Sequence, residues 1–511
     1  MPRNRESAQY SIPRLRRSAV VFLAGKGLTA PLNLFLFLII AARLPKPEFA
    51  LYAWLLAFGR LSLQLSFVGV NWIALHQVPY YRTKVGGAPY RRFLLALVAL
   101  RFALVAVAVA ASFVAAPYLV GAFGHEAWVR PLRLFLFVMA AELGVEFLRS
   151  CIFEPLLEQG TSQGNVFLQH SVFLAGLLLS STQGSLSIES VLFARGAAVW
   201  VAVLAGLAQL GYVLRQPVAV TGEPPPAMRT LLRFALDNYA QDIVRMSSSG
   251  ALVTMLASRL VDVAALATFG FAQNLVDFVD KFLPAQFFLG LLRPRVIAAY
   301  GDDRSFAELR RRTALILKIS ICTLAAVTAV LVAVGRPALE LLAGGQYAAS
   351  YGLLLALLLW LAISSVQRMQ AVLTNVLGRS ELLRRASLAS LLVVPTAIVL
   401  IAAGAGAYGL IVGMIVGEVV SVRLVSNQLR RTGYELTMDV RGYGRIAGAA
   451  LAAVILGKLA AVALPAGFWA VGIGVAATVS SFALALLLLR PFASEERRAI
   501  ENLLGRKLAL L

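Results

Sequence analysis

The chain has 511 residues, 59% of them hydrophobic and 14% charged, with a mean hydropathy of +0.80 and a formal net charge of +22. A soluble domain is about a quarter charged; here the apolar residues lie in long unbroken runs rather than at amphipathic spacing, which excludes a soluble fold and marks a chain built for the bilayer. The basic balance does not signal nucleic acid, because Lys and Arg fall between the apolar runs and not on one face, and Cys151 and Cys322, both inside apolar runs, exclude a disulfide framework and zinc-ligand spacing.

Residues 1–17 form a basic tail. The run 18–42 is too long for a signal-peptide core and lacks a cleavage site, so it is the first spanning helix. A span needs about 20 apolar residues, and further spans follow at 49–78, 91–116, 131–155, 164–182 and 187–213. These six make a first lobe, 18–213. Residues 214–230 form a linker containing Glu223-Pro224-Pro225-Pro226. The second lobe, 231–427, has spans at 231–257, 263–291, 313–334, 349–376, 384–403 and 407–427. Two additional spans, 445–463 and 467–489, lie in 428–489. In the tail 490–511, Ile500, Leu503, Leu504 and Leu508 share a helical face with Arg497, Arg498, Arg506 and Lys507 beside it, the pattern of a short interfacial helix. The fold class is therefore all-α integral membrane, with about fourteen transmembrane helices.

With the N-terminus placed inside, thirty of the 47 Lys and Arg fall in inward segments and six in outward ones. A miscounted helix would invert the bias downstream, and no inversion occurs, so both termini are expected in the cytoplasm. A repeat is also visible. Arg43-Leu44 recurs as Arg259-Leu260, and Gly160, at the end of helix four, corresponds to Gly378, at the end of helix ten. The near-equal offsets describe six-plus-six parallel halves and two extra helices.

Charge at mid-membrane is costly and normally faces protein or water. Arg60, Arg101, Glu142, Glu146, Asp242, Arg245, Asp277, Lys281 and Glu418 lie roughly ten or more residues inside the expected helices, about 15 Å deep at 1.5 Å per residue; Lys26 is shallower. Arg149, Arg195, Arg368, Arg423 and Lys458 lie nearer the ends, where a long side chain can snorkel. Helix seven carries a polar stripe of Asp237, Gln241, Arg245 and Ser248, and helix eight answers with Asn274, Asp277 and Lys281. The bland alternative is internal pairing: Asp242–Arg245, Asp277–Lys281 and Glu146–Arg149 all have i+3 or i+4 spacing. Lys26, Arg60 and Arg101 have no acidic partner on their own helix. Substrate binding is therefore assigned to Lys26, Arg60, Arg101, Arg245 and Lys281, and possible ion or proton coupling to Asp242, Asp277, Glu142, Glu146 and Glu418. No phosphate loop ending in Lys-Ser/Thr, no nucleophile–base motif and no metal-ligand spacing is present, so neither an enzyme nor a cofactor is expected.

The stretch Ala42-Arg43-Leu44-Pro45-Lys46-Pro47-Glu48-Phe49-Ala50-Leu51-Tyr52 resembles the first outer turn of the polysaccharide-transport flippases, the O-antigen, teichuronic-acid and exopolysaccharide exporters of the multidrug/oligosaccharidyl-lipid/polysaccharide (MOP) superfamily. Ala50 stands where that family shows Gly, and Ser258–Asn274 is similar in the second half. The resemblance implies two six-helix lobes around a cationic cavity that takes an undecaprenyl-pyrophosphate-linked glycan in the bacterial inner membrane. The expected partners are then the lipid-linked oligosaccharide, the bilayer and polymerases or glycosyltransferases of the same pathway. Fourteen helices also resemble the lipid II flippase branch, although helix eleven has no interior carboxylate. Two other readings stand beside this one: an ion-coupled multidrug or small-molecule antiporter of the same fold, and a non-transporting membrane component of glycan assembly.

Overall fold

A computed structural model describes residues 12–182, 184, 186–216, 218, 224, 226–246, 249–285, 306–377, 380–434, 438–465 and 467–504, and among them all regular structure is helical. The helices are α1 (Ile12–Arg43), α2 (Lys46–Phe67), α3 (Val70–Tyr80), α4 (Gly87–Ala122), α5 (Val129–Phe147), α6 (Gln159–Thr182), α7 (Ile188–Arg215), α8 (Met228–Met246), α9 (Gly250–Leu260), α10 (Val263–Phe282), α11 (Phe306–Leu342), α12 (Ser350–Val376), α13 (Ser380–Ser387), α14 (Val393–Leu400), α15 (Ala407–Arg431), α16 (Val440–Val462), α17 (Phe468–Leu489) and α18 (Ser494–Leu504). Among the described residues, ten helical stretches are long and apolar enough to cross a membrane. The other four expected spans are helical where described, but more polar or interrupted. The chain is a multi-pass membrane protein.

The structure divides three spans that the hydropathy presents as continuous. The second, expected at 49–78, breaks between α2 and α3 at Val68 (φ 46) and Gly69 (φ 77). A β-branched residue in the left-handed region is strained, and Gly69 is required by space as well as by φ: a methyl there would come within 2.5 Å of the Ala235 carbonyl oxygen. The seventh span, 231–257, is α8 followed by α9, with residues 247 and 248 outside the described set. The eleventh, 384–403, is α13, a 3₁₀ turn at Leu388–Leu392, α14 and a π turn at Ile401–Ala405. The helix expected over 263–291 ends at Phe282, and 286–291 lie outside the described residues.

The chain separates into two compact units, Met1–Met246 with Thr254–Arg259, and Ser247–Val253 with Leu260–Leu511. In the first, α8 packs on α2 and α3, α6 on α1 and α7, and α5 on α4 and α7. In the second, α12 packs on α10, α11 and α15, and α16 and α17 form a hairpin against α11. Small residues permit that hairpin: a methyl at Gly457 would collide with the Thr478 hydroxyl. This is the close backbone approach used by membrane helices, which lack a hydrophobic drive toward one another.

The second unit also holds a buried lysine. Lys318 on α11 is 1% exposed, and its Nζ donates to Asp439 Oδ2 at 2.6 Å and Glu496 Oε2 at 2.7 Å. The Phe492 ring lies 5.3 Å away. Asp439 caps α16 by accepting from the Gly442 N–H at 3.0 Å, and Glu496 belongs to α18. One ammonium thus joins α11, α16 and the tail helix. Phe492 and Ile500 complete an apolar cluster with α11, α16 and α17; the side chains of Leu503, Leu504 and Leu508, the rest of the face expected at the lipid interface, lie outside the described residues.

Candidate functional site

One group of polar residues in the first unit lies on α1, α2, α5, α6 and α7. Arg195, in the second turn of α7, donates from Nε to Glu142 Oε1 of α5 at 2.5 Å and from Nη1 to the Tyr52 hydroxyl of α2 at 2.8 Å. Arg60, two turns beyond Tyr52 on α2, is half-buried and within electrostatic reach of Arg195, Tyr52 and Glu142. One turn along α5, Glu146 forms an ion pair with Arg149, and α5 passes into a π turn at Leu148–Phe153. Lys26 of α1 lies within electrostatic reach of Arg149, Glu154 and Glu146, with the Phe22 ring 5.6 Å from its Nζ. Glu154 accepts from Ser162 at 3.4 Å.

The N-terminal half of α6 contributes amides to the same region. Gln159, Ser162, Gln163 and Asn165 are all buried. Asn165 donates to the Ala202 carbonyl at 3.0 Å. Gln163, 4% exposed against Gly25 of α1, has neither amide atom hydrogen-bonded. A buried amide normally finds a partner; this one is left unsatisfied within the protein. The assembly is a band of cations, carboxylates and amides running along five helices. It places positive charge, carboxylates and neutral hydrogen-bonding groups side by side.

Arg101 stands apart from this band. It is fully buried, with Nη1 donating to the Ser66 carbonyl at 2.6 Å and the Ser66 hydroxyl at 3.1 Å. Its guanidinium lies 4.4 Å from the Phe67 ring centroid and 6.0 Å from that of Phe147; Nε and Nη2 have no partner. The last carbonyls of a helix are orphaned, and a cation is favoured there. Arg101 therefore closes the C-terminal end of α2 at the break in the second span. Tyr239 of α8 does the same for the neighbouring carbonyl, donating to Leu65 O at 2.8 Å.

The remaining sequence-derived residues are dispersed. Asp242 of α8 accepts from the Trp72 indole of α3 at 2.8 Å. The side chain of Arg245 lies outside the described residues, as do those of Asp237, Gln241 and Ser248. Asp277 accepts from Gln273 at 2.8 Å. Lys281 is exposed in the last turn of α10 rather than mid-helix, because the helix stops at Phe282. Glu418 is 5% exposed on α15. Among the pairings expected from spacing, Glu146–Arg149 is present. The second unit adds one between helices: Arg368 of α12 donates to Asp280 of α10 at 2.6 Å. Among the described residues no cluster of three His, Cys, Asp or Glu could hold a metal ion.

Sequence reasoning passed over Arg195, Tyr52, Gln163 and Asp280. Arg195 and Arg368 sit near helix ends, where snorkelling explains a cation, and their carboxylates lie on other helices. Only the polar face of α6, with Gln159 and Gln163 at i, i+4, carried a local signal.

No family model and no curated protein matches the chain. Solved structures do. The lipid II flippase MurJ in an inward closed conformation superposes with a TM-score of 0.68 at 13% identity, covering 92% of this chain and 99% of that one. An inward-facing multidrug resistance MATE family transporter of the MOP superfamily gives 0.56 at 15% identity, covering 81% and 98%. A MOP superfamily transporter from Pyrococcus furiosus, described as having a binding pocket of reversed polarity, gives 0.57 at 15% identity, covering 82% and 95%. At these identities the likeness is one of architecture, and the chain has the fold of the MOP-superfamily transporters.

Proposed function

We propose that this protein flips a lipid-linked, pyrophosphate-bearing oligosaccharide precursor across the bacterial inner membrane by alternating access, with both termini in the cytoplasm. The observation that carries the reading is the band of Lys26, Arg60, Glu142, Glu146, Arg149 and Arg195 inside the first unit of a transporter fold. A charged, hydrated head cannot cross ~30 Å of hydrocarbon unaided. Fixed guanidinium groups suit bidentate phosphate contacts, and Lys serves as a point charge. The unbonded Gln163 amide and the Tyr52 hydroxyl suit the glycan. Arg101 is given to the fold, because its guanidinium closes the end of α2 at Ser66 between the rings of Phe67 and Phe147. Arg245 and Lys281 remain candidates of the second unit, and Asp242, Asp277, Glu142, Glu146 and Glu418 remain candidates for coupling to an ion or proton. Polymerases and glycosyltransferases of the same pathway are the proteins expected alongside it.

The test is lipid analysis of a deletion strain, with plasmid-borne variants. Loss of the protein should accumulate a lipid-linked oligosaccharide in the inner leaflet. Arg60→Ala and Arg195→Gln should cut export at least tenfold with the protein still in the membrane, and Arg60→Lys should retain part of the activity. Full export by the double variant at normal abundance would sink the reading. The antiporter alternative draws on the interhelical pairs Arg195–Glu142 and Arg368–Asp280. It requires small-molecule efflux that depends on an ion gradient and no accumulated lipid-linked glycan.

A further inference from the structure

Only part of the Arg101 guanidinium is engaged by the protein. Nη1 grips the Ser66 carbonyl and hydroxyl, and the Phe67 and Phe147 rings flank the group. Nε and Nη2, which form the side-on fork suited to a bidentate acceptor, have no partner among the described residues. The side chain is 0% exposed, so bulk water does not reach the fork. The charge also lacks a counter-charge. Among the described residues the Cys151 thiol, in the π turn after α5, is the one titratable group within electrostatic reach, and no carboxylate is. Lys318, buried to the same degree, meets two carboxylates. The carbonyl end of α2 offsets part of the Arg101 charge, but a buried ion without an opposite charge is unfavourable by several kcal/mol. Water would satisfy the fork and leave the charge unmet.

The backbone at this place is also arranged for negative charge. The second span breaks at Val68-Gly69, and α3 starts after Gly69 with no side-chain cap. The first N–H groups of a helix are orphaned and carry the positive end of its dipole; those of α3, from Val70 onward, follow Ser66 by four residues. A broken span presents the carbonyl end of one half and the N–H end of the other. Arg101 takes the carbonyl end, and the N–H end is left to an anion. The carboxylate described on this turn, Asp242, accepts from the Trp72 indole at 2.8 Å and does not reach Arg101.

We infer that the break in the second span binds a dehydrated halide ion, chloride by abundance, between the Nε/Nη2 fork of Arg101 and the first N–H groups of α3. Full burial limits the ligand to a single atom, because a phosphate or a carboxylic acid would bring further oxygens that need donors of their own. In the low-dielectric interior a monovalent anion beside the guanidinium supplies the missing counter-charge at close range. The site lies apart from the charged band on α1, α2, α5, α6 and α7, and it does not depend on what the protein transports.

The test uses the purified full-length protein in detergent at neutral pH, with chloride exchanged for gluconate at constant ionic strength. Over a hundredfold rise in chloride, Tm should climb saturably by about 2 °C or more. Bromide should act likewise. Cys151→Asp sets a carboxylate within reach of Arg101 and should abolish the halide response, whereas Cys151→Ser, small and uncharged, should keep it. Crystals grown in bromide should give an anomalous peak at the Arg101 fork, which locates the ion even where a variant fails to fold. A wild-type Tm indifferent to halide, an undiminished response in Cys151→Asp, or a fork filled by ordered water alone would each overturn the inference. None of these readouts involves transport, so loss of the halide site would leave the flippase reading untouched, and a deletion strain without accumulated precursor would leave the halide site standing.

Discussion

Replacing Arg101 by Ala removes the cation that closes α2 and leaves a void beside Phe67 and Phe147. Loss of the cap and of packing together should cost about 3 kcal/mol, read as a lower Tm and lower abundance. Arg60→Ala should change neither while abolishing export. If Arg101→Ala keeps its Tm but loses export, the guanidinium is a ligand after all. Depth along the helix, which the sequence does give, places both residues at mid-membrane. It does not give the partner. Whether an intramembrane Arg meets a helix end, a carboxylate or a guest is decided by a neighbouring helix tens of residues away: Ser66 for Arg101, Glu142 for Arg195. Lys26, Arg60, Glu142 and Glu146 were legible because they are costly wherever they point; Arg195 was not, because its position near a helix end has an inexpensive explanation.

At the scale of elements, hydropathy reports that a run is apolar and not whether its backbone is continuous. Val68-Gly69 offers a glycine, which alone does not break a helix. The break requires the approach of α8 at Ala235 and the caps from Arg101 and Tyr239, none of them local. The tail helix was legible as amphipathic, and its first turn is tied to protein because Lys318 gathers Glu496 with Asp439. Lys318 itself carried no pattern, being one intrahelical cation among several. The hydrogen bond from Lys318 holds the Asp439 carboxyl below the usual carboxylate range, with the Gly442 N–H assisting. A depressed carboxylate contributes stability that is present above its unfolded value and is lost as pH falls through the folded one. Purified protein should therefore lose Tm below roughly pH 4, and Asp439→Asn should be less stable at neutral pH with a shallower acid loss. Parallel acid profiles in the two proteins would contradict this account.

For the whole molecule, the all-α membrane class and a count of about fourteen spans, roughly consistent with the ten found among the described residues, were legible because bilayer thickness fixes the length of every apolar run. The charge bias adds sidedness. With Cys151 and Cys322 replaced by Ala, single cysteines at Gln346 and Ala403 should react with an impermeant thiol reagent in whole cells, and one at Thr432 should not. Reversal at two of the three would undo the assigned orientation. The fold is shared with the lipid II flippase structure at 13% identity because many apolar sequences satisfy the same packing, whereas the site depends on a few charges whose partners cross helices. Pattern therefore carries the architecture, and the charged band is assembled only by the packing of one helix on another.

Lys318 has a practical bearing on how this membrane protein can be studied. Reporters fused behind successive truncations are a common way to map sidedness, yet any truncation before Glu496 removes one of the two carboxylates on an ammonium that is 1% exposed. Truncations before Asp439 remove both partners and leave a buried charge uncompensated, at a cost of several kcal/mol, and later ones leave it with Asp439 alone, so such fusions would register weakened folding as if it were location. Reporters inserted within the intact chain, at the exposed turns around Gly345 or Gly433 where added atoms meet open space, leave that triad whole.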